Sequence, residues 1–235
     1  MIVRIVIPAR NEAPAIARVV ESVRKRVDRV IVVDNGSTDG TGDLARAAGA
    51  HVVEEPRAGY GRSCLAGIAA ADDADVIVFM DGDGADDARD LPALLAPIEA
   101  DAADFVVGSR LAGGAVEAGA LTWPQRAGNA LACGLMRRIW AGPFTDLGPF
   151  RAIRADALAR LSMEAPTYGW TVEMQIRALK VGLACAEVPV RYRRRVGVSK
   201  VSGTVKGVAL AGTYILGVTA REALPPAPRP ASRRA

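Results

Sequence analysis

The stretch VIVFMDGDGADD occupies residues 76–87 and decides the fold class. Its first five residues are a continuous apolar run, which predicts a buried strand of a parallel sheet. Asp81 and Asp83 follow directly, with Gly82 between them. Ligands of open α/β sheets bind at the carboxyl edge, where this strand ends, and alternation along the chain directs both carboxylates to one side. We therefore predict an α/β protein with an acidic pair at its ligand-binding edge.

Two carboxylates on one side provide hard oxygen ligands, which suit Mg²⁺ or Mn²⁺. Water and diphosphate oxygens can complete the coordination shell, and the cation would then neutralise charge on a departing nucleotide. A second interpretation stays open, because Asp86 or Asp87 can cap a following helix and leave the stretch as a polar turn.

Strand and helix patterns alternate on both sides of this stretch. Runs of β-branched residues predict strands at residues 2–7, 30–33, 51–54, 76–80 and 104–107. Helical periodicity predicts helices at residues 15–26, 41–48, 61–71, 91–99 and 127–140. This alternation is typical of a wound, mostly parallel sheet.

The second half of the chain has a different pattern. It predicts strands at residues 148–153 and 188–192, and helices at residues 155–161, 172–181 and 201–218. We interpret this half as an addition to the first sheet that receives another substrate. The tail at residues 223–235 is rich in proline and arginine, and we predict that it is disordered.

Composition is typical of an intracellular globular protein. Of the 235 residues, 50% are hydrophobic and 24% charged, which argues against disorder. The three cysteines have no CxxC spacing, so neither a zinc site nor a disulfide framework is indicated. We find no signal-peptide pattern and no apolar run of about 20 residues, and we expect a cytoplasmic protein. The net charge of +4 and the arginines at residues 191–195 indicate an anionic partner.

Two earlier strand ends also carry polar side chains. Asp34 directly follows the second predicted strand and is well placed to accept hydrogen bonds from a base or ribose. The residues that follow it, 37–41, also fit a simple turn and helix cap.

The first predicted strand ends in Pro8-Ala9-Arg10-Asn11-Glu12. We expect Glu12 beside the nucleotide, and Arg10 either on phosphate or paired with Glu12. A capping role for Asn11 and Glu12 is the alternative.

These three segments, in this order, resemble the inverting family 2 glycosyltransferases with the GT-A fold, in particular the branch of dolichol-phosphate mannose synthase and the polyprenyl-phosphate glycosyltransferases. The resemblance implies a Rossmann-like three-layer α/β sandwich with a mostly parallel central sheet. It also implies one domain over residues 1–222, with a nucleotide-sugar half at 1–110 and an acceptor half at 111–222. The implied reaction is metal-dependent transfer of a hexose from UDP-glucose or GDP-mannose to a polyprenyl or dolichyl phosphate.

The resemblance also assigns donor-binding and metal-binding residues. Asp81 and Asp83 correspond to the family's Asp-x-Asp pair, with Asp83 the more direct metal ligand. Gly61 belongs to a glycine-rich loop in which Arg62 replaces a more usual lysine. Arg110 belongs to a Gly-Ser-Arg segment that faces donor and acceptor. The full set implied for the donor is Pro8, Ala9, Arg10, Glu12, Asp34, Gly61, Asp81, Gly82, Asp83 and Arg110.

Later motifs supply the implied catalytic and acceptor-binding residues. Asp146 lies in TDLGPFR at residues 145–151, where Pro149 departs from the family pattern. Glu173 opens a helix, and its alternative role is favourable placement at a positive helix end. The segment RVGVSK at residues 195–200 resembles a mobile basic loop, and a solvated loop is the alternative. The implied catalytic set is Asp83, Asp146, Glu173, Arg195 and Lys200, and the implied acceptor set is Arg110, Trp170, Arg195, Ser199 and Lys200.

The predicted mechanism is a single inverting displacement, in which metal, Arg195 and Lys200 stabilise the leaving diphosphate. A lipid phosphate acceptor needs no strong base, whereas a hydroxyl would need Asp146 or Glu173. A soluble hydroxyl acceptor and a non-catalytic nucleotide-sugar-binding protein are the alternatives. Peripheral contact with the inner face of a membrane is expected through residues 207–218 and the basic tail. We expect no nucleic-acid partner.

Overall fold

A computed structural model describes residues 1–113, 115–197, 213 and 217–223. Its strands are β1 (Val3–Ala9), β2 (Arg29–Asp34), β3 (His51–Glu54), β4 (Val76–Phe79), β5 (Phe105–Ser109), β6 (Arg151–Arg154) and β7 (Cys185–Pro189). Its helices are α1 (Ile16–Val23), α2 (Thr41–Ala47), α3 (Tyr60–Ala69), α4 (Leu91–Glu99), α5 (Trp123–Trp140), α6 (Ala155–Leu161) and α7 (Trp170–Lys180). A short 3₁₀ turn, Ala88–Asp90, precedes α4.

The seven described strands form one sheet in the order β3-β2-β1-β4-β6-β5-β7. Neighbours in the sheet are parallel except at β6, which runs antiparallel to both β4 and β5. The predicted mostly parallel α/β sheet is therefore confirmed. The last predicted strand, 188–192, was wrong in position, because the strand that pairs with β5 is Cys185–Pro189.

Alternation along the strands divides the core between the two faces of the sheet. Ile5, Ile7 and Val78 pack on one face, against α1 and α4. Val6 and Phe79 pack on the other face, against α3, α5, α6 and α7. Helices thus cover both faces, which confirms the predicted three-layer arrangement.

Two further features of the described residues concern the cysteines and the helices. Cys64, Cys133 and Cys185 are free thiols. Within the described residues, no helix combines the length and apolar character needed to cross a membrane. The predicted helix at residues 201–218 and the predicted disordered tail lie largely outside the described residues.

Candidate active site

A cavity of about 580 Å³ opens at the carboxyl ends of β1, β2 and β4. This is the edge at which open α/β sheets bind ligands. Segments from distant parts of the chain line it: Pro8, Ala9, Arg10, Asn11, Glu12, Asn35, Ala58, Gly59, Tyr60, Ser63, Asp81, Gly82, Asp83, Thr167, Tyr168 and Arg195. The structure therefore brings together the acidic pair after β4, the segment at residues 8–12 and Arg195, the first residue of the basic loop.

The acidic pair at the end of β4 is held by short-range hydrogen bonds. The Tyr60 hydroxyl donates to Asp81 Oδ1 at 3.2 Å. Asp83 Oδ1 accepts from the backbone N–H of Ala85 at 2.9 Å, and the Asp83 residue is only 4% exposed. Gly82 lies between them in a tight space, since a β-carbon there would lie 3.3 Å from Ile16 Cδ1.

Negative charge is concentrated at this turn. Burial and then the charge of Asp83 raise the pKa of Asp81 to about 7. Burial and then the charges of Asp81 and Asp83 raise the pKa of Asp86 well above its ordinary value. Asp86 Oδ1 is buried and has no hydrogen-bond partner among the described residues. Asp81 and Asp83 line the cavity, and the charges of both act on Asp86 in the same turn. Carboxyl groups that repel one another in this way form an environment that a divalent cation would stabilise.

The acidic turn fits a cation that keeps several ligands from outside the protein. In the described part of the chain, no cluster of three or more His, Cys, Asp or Glu side chains has metal-binding geometry. Mg²⁺ is usually held by one or two carboxylates together with water and substrate phosphates, which matches a pair such as Asp81 and Asp83.

Arg195 reaches this turn from a part of the chain that is distant in sequence. Its Nη2 lies 3.0 Å from Glu12 Oε1 and 3.5 Å from Asp83 Oδ2. Its Nε is buried without a hydrogen-bond partner among the described residues. Backbone hydrogen bonds hold the segment in place, from Val196 N to Asp83 O at 2.9 Å and from Arg193 N to Ala85 O at 2.9 Å. A guanidinium therefore lies beside the acidic pair at the cavity.

Two neighbouring residues at the end of β2, Asp34 and Asn35, shape the candidate site. Asp34 is 7% exposed, and its Oδ1 accepts from Ser37 N at 2.9 Å. This hydrogen bond stabilises the turn at residues 37–41, which the sequence offered as an alternative to nucleotide binding. Asp34 itself is not among the lining residues, whereas Asn35 is. The Asn35 side chain donates to the carbonyls of Glu55 and Arg57 at 2.8 Å each and accepts from Gly59 N at 2.8 Å.

Asn35 and Tyr60 were both missed as candidates. Each is adjacent in sequence to a predicted residue, since Asn35 follows Asp34 and Tyr60 precedes Gly61. Asn35 orders the loop that leads to α3, and Tyr60 contacts the acidic pair. Their positions next to a strand end and in a glycine-rich loop could have indicated a role at the site. Their hydrogen-bond partners, Gly59 for Asn35 and Asp81 for Tyr60, are revealed only by the tertiary structure.

Arg110 and Asp146 form a buried ion pair. Arg110 Nε donates to Asp146 Oδ2 at 2.7 Å, and Arg110 Nη2 donates to Asp146 Oδ1 at 2.7 Å. The Asn129 side chain also donates to Asp146, and the Arg110 guanidinium lies 4.9 Å from the centre of the Tyr192 ring. Asp146 is fully buried, and although burial alone would raise its pKa, the Arg110 hydrogen bonds and charge lower it.

The structure thus places Arg110 and Asp146 behind the cavity lining. Neither belongs to the residues that line it, although the charge of Arg110 acts on the pKa of Asp81. The Asp146 carboxylate is fully buried and accepts from both Arg110 and Asn129, a geometry that favours orienting Arg110 over accepting a proton.

Glu173 and Trp170 at the start of α7 are also buried. Glu173 Oε2 accepts from Ala165 N at 2.7 Å, and Glu173 Oε1 lies 2.6 Å from Arg221 Nη2. Trp170 is 1% exposed and packs edge-on against Phe79. Neither residue lines the cavity, but the segment before them does, through Thr167 and Tyr168. The roles of Glu173 beside the sugar and of Trp170 beside an acceptor therefore stay predictions.

Of the remaining predicted residues, one packs against a neighbouring segment and two are outside the described residues. Gly61 is buried at the start of α3, where a β-carbon would lie 1.8 Å from the carbonyl oxygen of Ala165. It allows the 165–168 segment to approach the helix. Ser199 and Lys200 lie outside the described residues.

The architecture and the position of the cavity define a GT-A type of α/β protein. The chain superposes with a TM-score of 0.77 on the crystal structure of glucosyl-3-phosphoglycerate synthase from Mycobacterium tuberculosis in complex with Mn²⁺, UDP and glucosyl-3-phosphoglycerate. The two share 24% sequence identity over 96% of this chain and 81% of that one. The predicted GT-A fold is confirmed.

The model of the family "Glycosyl transferase family 2" matches residues 4–160, and the chain belongs to that family. An uncharacterised glycosyltransferase of Mycobacterium tuberculosis is 36% identical over 214 residues, which cover 89% of this chain and 94% of that protein. The undecaprenyl-phosphate mannosyltransferase of Micrococcus luteus is 35% identical over 234 residues, covering 92% and 94%. The polyprenol monophosphomannose synthase of Mycolicibacterium smegmatis is 32% identical over 219 residues, covering 85% and 81%.

These matches confirm the resemblance from the sequence. The protein is a glycosyltransferase, and it is similar along most of its length to enzymes of the polyprenyl-phosphate branch.

Proposed function

We propose that this glycosyltransferase moves a hexose, with inversion, from a nucleotide-diphosphate sugar to a polyprenyl phosphate in a metal-dependent reaction. The observation that carries the proposal is the convergence of Asp81, Asp83 and Arg195 on one cavity at the carboxyl edge of the sheet. Relatives named for transfer of mannose to undecaprenyl phosphate and polyprenol support the choice of acceptor. UDP-glucose and GDP-mannose are the two donors that we propose to test.

The donor would lie along the cavity with its nucleoside near β1 and β2. Residues 8–12 and Asn35 offer backbone and side-chain groups there, and Asp34 fixes the turn beside them. Asp81 and Asp83 would hold Mg²⁺ or Mn²⁺, which would neutralise the diphosphate as the bond to the sugar breaks. The Mn²⁺ and UDP in the crystals of glucosyl-3-phosphoglycerate synthase, a protein of the same fold, are compatible with this placement.

Arg195 would stabilise the leaving diphosphate from the protein side. Its guanidinium is already at the acidic turn, and its buried Nε offers a donor with no partner among the described residues. Preorganised cationic donors of this kind stabilise charge that develops in the transition state. Lys200 and Ser199 keep their sequence-based roles as proposals.

A phosphate acceptor suits this site better than a hydroxyl. The two carboxylates predicted as possible bases, Asp146 and Glu173, are both fully buried and paired with arginines. A hydroxyl acceptor would need such a base, whereas a phosphate monoester is already anionic. The soluble hydroxyl acceptor thus becomes an outcome of the test.

The experiment supplies the protein with labelled UDP-glucose or GDP-mannose, Mn²⁺ or Mg²⁺, and either detergent-solubilised polyprenyl phosphate or an aqueous extract. We expect label in the organic phase, its loss with a chelator, and a fall of at least about 100-fold for Asp83→Asn. Asp72→Asn, at an exposed surface residue, is the matched control. Label in the aqueous product alone would indicate a hydroxyl acceptor, and full activity of Asp83→Asn would remove the metal role.

The same donors and metal ions also distinguish an enzyme from a non-catalytic nucleotide-sugar-binding protein. A thermal-shift assay would show whether UDP or GDP with Mn²⁺ stabilises the protein. If it does, but the protein neither transfers the sugar nor slowly hydrolyses any donor, the catalytic proposal is overturned.

A further inference from the structure

Residues 217–223 are helical and pack against the start of α7. Val218 is 8% exposed and belongs to the core on the face of the sheet that α7 covers. A β-carbon on Gly169, the residue before α7, would lie 2.6 Å from Val218 Cγ2. The two residues before this glycine, Thr167 and Tyr168, line the cavity. The 217–223 segment is therefore fitted closely to the chain that enters α7 from the candidate active site.

Ion pairs attach the same segment to the charged side of α7. Arg221 Nη2 donates to Glu173 Oε1 at 2.6 Å. Glu222 is 8% exposed, and its carboxylate lies 3.2 Å from Arg177 Nε and 2.7 Å from Lys180 Nζ. Lys180 Nζ also donates to the carbonyl oxygen of Glu222 at 3.0 Å. Because partly buried charges are screened less than exposed ones, these pairs favour one docked position of the segment.

Glu173 connects the 217–223 segment to the backbone beside the cavity. Its Oε1 accepts from Arg221, while its Oε2 accepts from Ala165 N at 2.7 Å and from Glu164 N at 3.1 Å. Glu173 is fully buried, and Arg177 Nη2, at 3.1 Å, is its other cationic partner among the described residues. If Arg221 is removed, the carboxylate is held from one side only, and the two backbone amides lose a fixed acceptor.

Residues 164–168, which we call the wall segment, are fitted on their other side against the start of α3. Pro166 O accepts from Arg62 N at 3.1 Å, and a β-carbon on Gly59 would lie 2.3 Å from Pro166 O. The last two residues of the wall segment line the cavity. A displacement of the wall segment would therefore change both the lining and the loop that precedes α3.

We propose that Arg221 is a positioning residue, which acts through Glu173 to hold the wall segment in the conformation that shapes the donor cavity. The identity of the ligand in that cavity rests on the proposed function. Arg221 is not among the lining residues, so its effect on the ligand is indirect. Coupling between two sites is reciprocal, and a nucleotide in the cavity should therefore stabilise the docked 217–223 segment in turn.

The first test is amide hydrogen exchange of the full chain without ligand, followed by mass spectrometry. In Arg221→Gln, we expect the amides of Glu164 and Ala165 to exchange roughly two- to fivefold faster, the range expected for loss of a half-exposed ion pair. Peptides of α1, on the opposite face of the sheet, should exchange at the wild-type rate. The Arg221 side chain is 49% exposed, so the variant should fold, and circular dichroism confirms it.

Two further variants separate positioning from a general effect of charge. Arg221→Lys keeps a cation that can pair with Glu173, and it should restore most of the protection of the wall segment. Arg160→Gln is the matched control, because Arg160 is exposed and donates to Val181 O at 3.1 Å, about two helical turns beyond Glu173. It should leave exchange in the wall segment unchanged.

The second test measures the coupling to the cavity with UDP and Mn²⁺. We expect UDP to bind Arg221→Gln roughly two- to fivefold more weakly than the wild type in calorimetry, and Arg160→Gln with wild-type affinity. In the wild type, UDP with Mn²⁺ should slow exchange at residues 217–223, as reciprocity requires.

Unchanged exchange of the wall segment in Arg221→Gln would overturn the proposal. Equally faster exchange over the whole protein would also overturn it, because Arg221 would then contribute to general stability alone. The first test needs no ligand, so it decides the role of Arg221 independently of the proposed function. Failure of the wild type to bind any nucleotide diphosphate would instead count against the proposed function.

Discussion

Gly42 lies against the carboxylate of Asp34, so that a β-carbon at position 42 would lie 2.6 Å from Asp34 Oδ2. The first turn of α2 therefore keeps the strand-end aspartate in the orientation that accepts from Ser37. Because a carboxylate can turn away at small cost, we expect Gly42→Ala to fold. Alanine in a helix is more favourable than glycine by about 0.5–1 kcal/mol, so stability should not fall.

We expect this variant to lose affinity for UDP or GDP by roughly tenfold, about 1.4 kcal/mol, because Asp34 no longer supports the nucleoside side of the cavity. Isothermal titration calorimetry with Mn²⁺ present measures the change. Gly134→Ala is the control, since a β-carbon there meets nothing within 4 Å. Unchanged nucleotide affinity in Gly42→Ala would contradict the role proposed for Asp34.

Arg195→Gln should change metal and nucleotide binding in opposite directions. Arg195 lies 3.5 Å from Asp83 Oδ2, so its charge opposes a cation at the acidic pair while it attracts a diphosphate. We expect Mn²⁺ alone to bind several-fold more tightly, and UDP in the presence of Mn²⁺ to bind roughly tenfold more weakly.

Electron paramagnetic resonance of free Mn²⁺ and calorimetry with UDP provide the two measurements. Arg194→Gln removes the neighbouring positive charge, which pairs with Glu117 on the surface, and should change neither. If Arg195→Gln and Arg194→Gln bind Mn²⁺ and UDP equally well, the contact between Arg195 and the acidic turn does not affect ligand binding.

Gly61→Ala should destabilise the fold. A β-carbon at position 61 would lie 1.8 Å from a backbone oxygen of Ala165, and backbone cannot turn aside as a side chain does. We expect a loss of about 3 kcal/mol in the free energy of unfolding, at the upper end of ordinary overpacking. Urea denaturation measures it, with Gly128→Ala as the control because that position is open. A stable Gly61→Ala that loses only donor binding would instead support the direct contact predicted from the glycine-rich loop.

Glu173→Gln separates a catalytic role from a structural one. Glu173 is fully buried, contacts Arg177 and Arg221, and accepts from the backbone of Glu164 and Ala165. Removal of one charge from a buried pair leaves the other uncompensated, so we expect a loss on the order of 3 kcal/mol in unfolding free energy. Denaturation and steady-state kinetics are measured on the same sample. If Glu173→Gln is as stable as the wild type but its kcat falls sharply, the result would support Glu173 as a general base.

The sequence was informative wherever a local pattern determines the structure. The strand at 76–80 and its acidic pair were predicted because an apolar run and a strand end are local features. The insertion of β6 between β4 and β5 was not predicted, since strand order depends on contacts between distant residues. The division of the chain at residue 110 into a donor half and an acceptor half stays a prediction.

Side-chain burial explains the remaining differences. Asp146 and Glu173 have the residue type of a catalytic acid, and each is buried against an arginine that is distant in sequence, Arg110 for Asp146 and Arg221 for Glu173. Trp170 is buried beside Phe79, a contact that the sequence did not indicate, and its predicted role at the acceptor stays a prediction.

The reversed direction of β6 has a geometric consequence for the cavity edge. Because β6 runs against its neighbours, its first residues lie where β4 and β5 end, and the chain that enters it carries Asp146 up to Arg110. The same strand separates the ends of β4 and β5 by two inter-strand steps, or about 10 Å. One inverted strand thus works as a spacer, which keeps the carboxylates of one strand end apart from the guanidinium of the other.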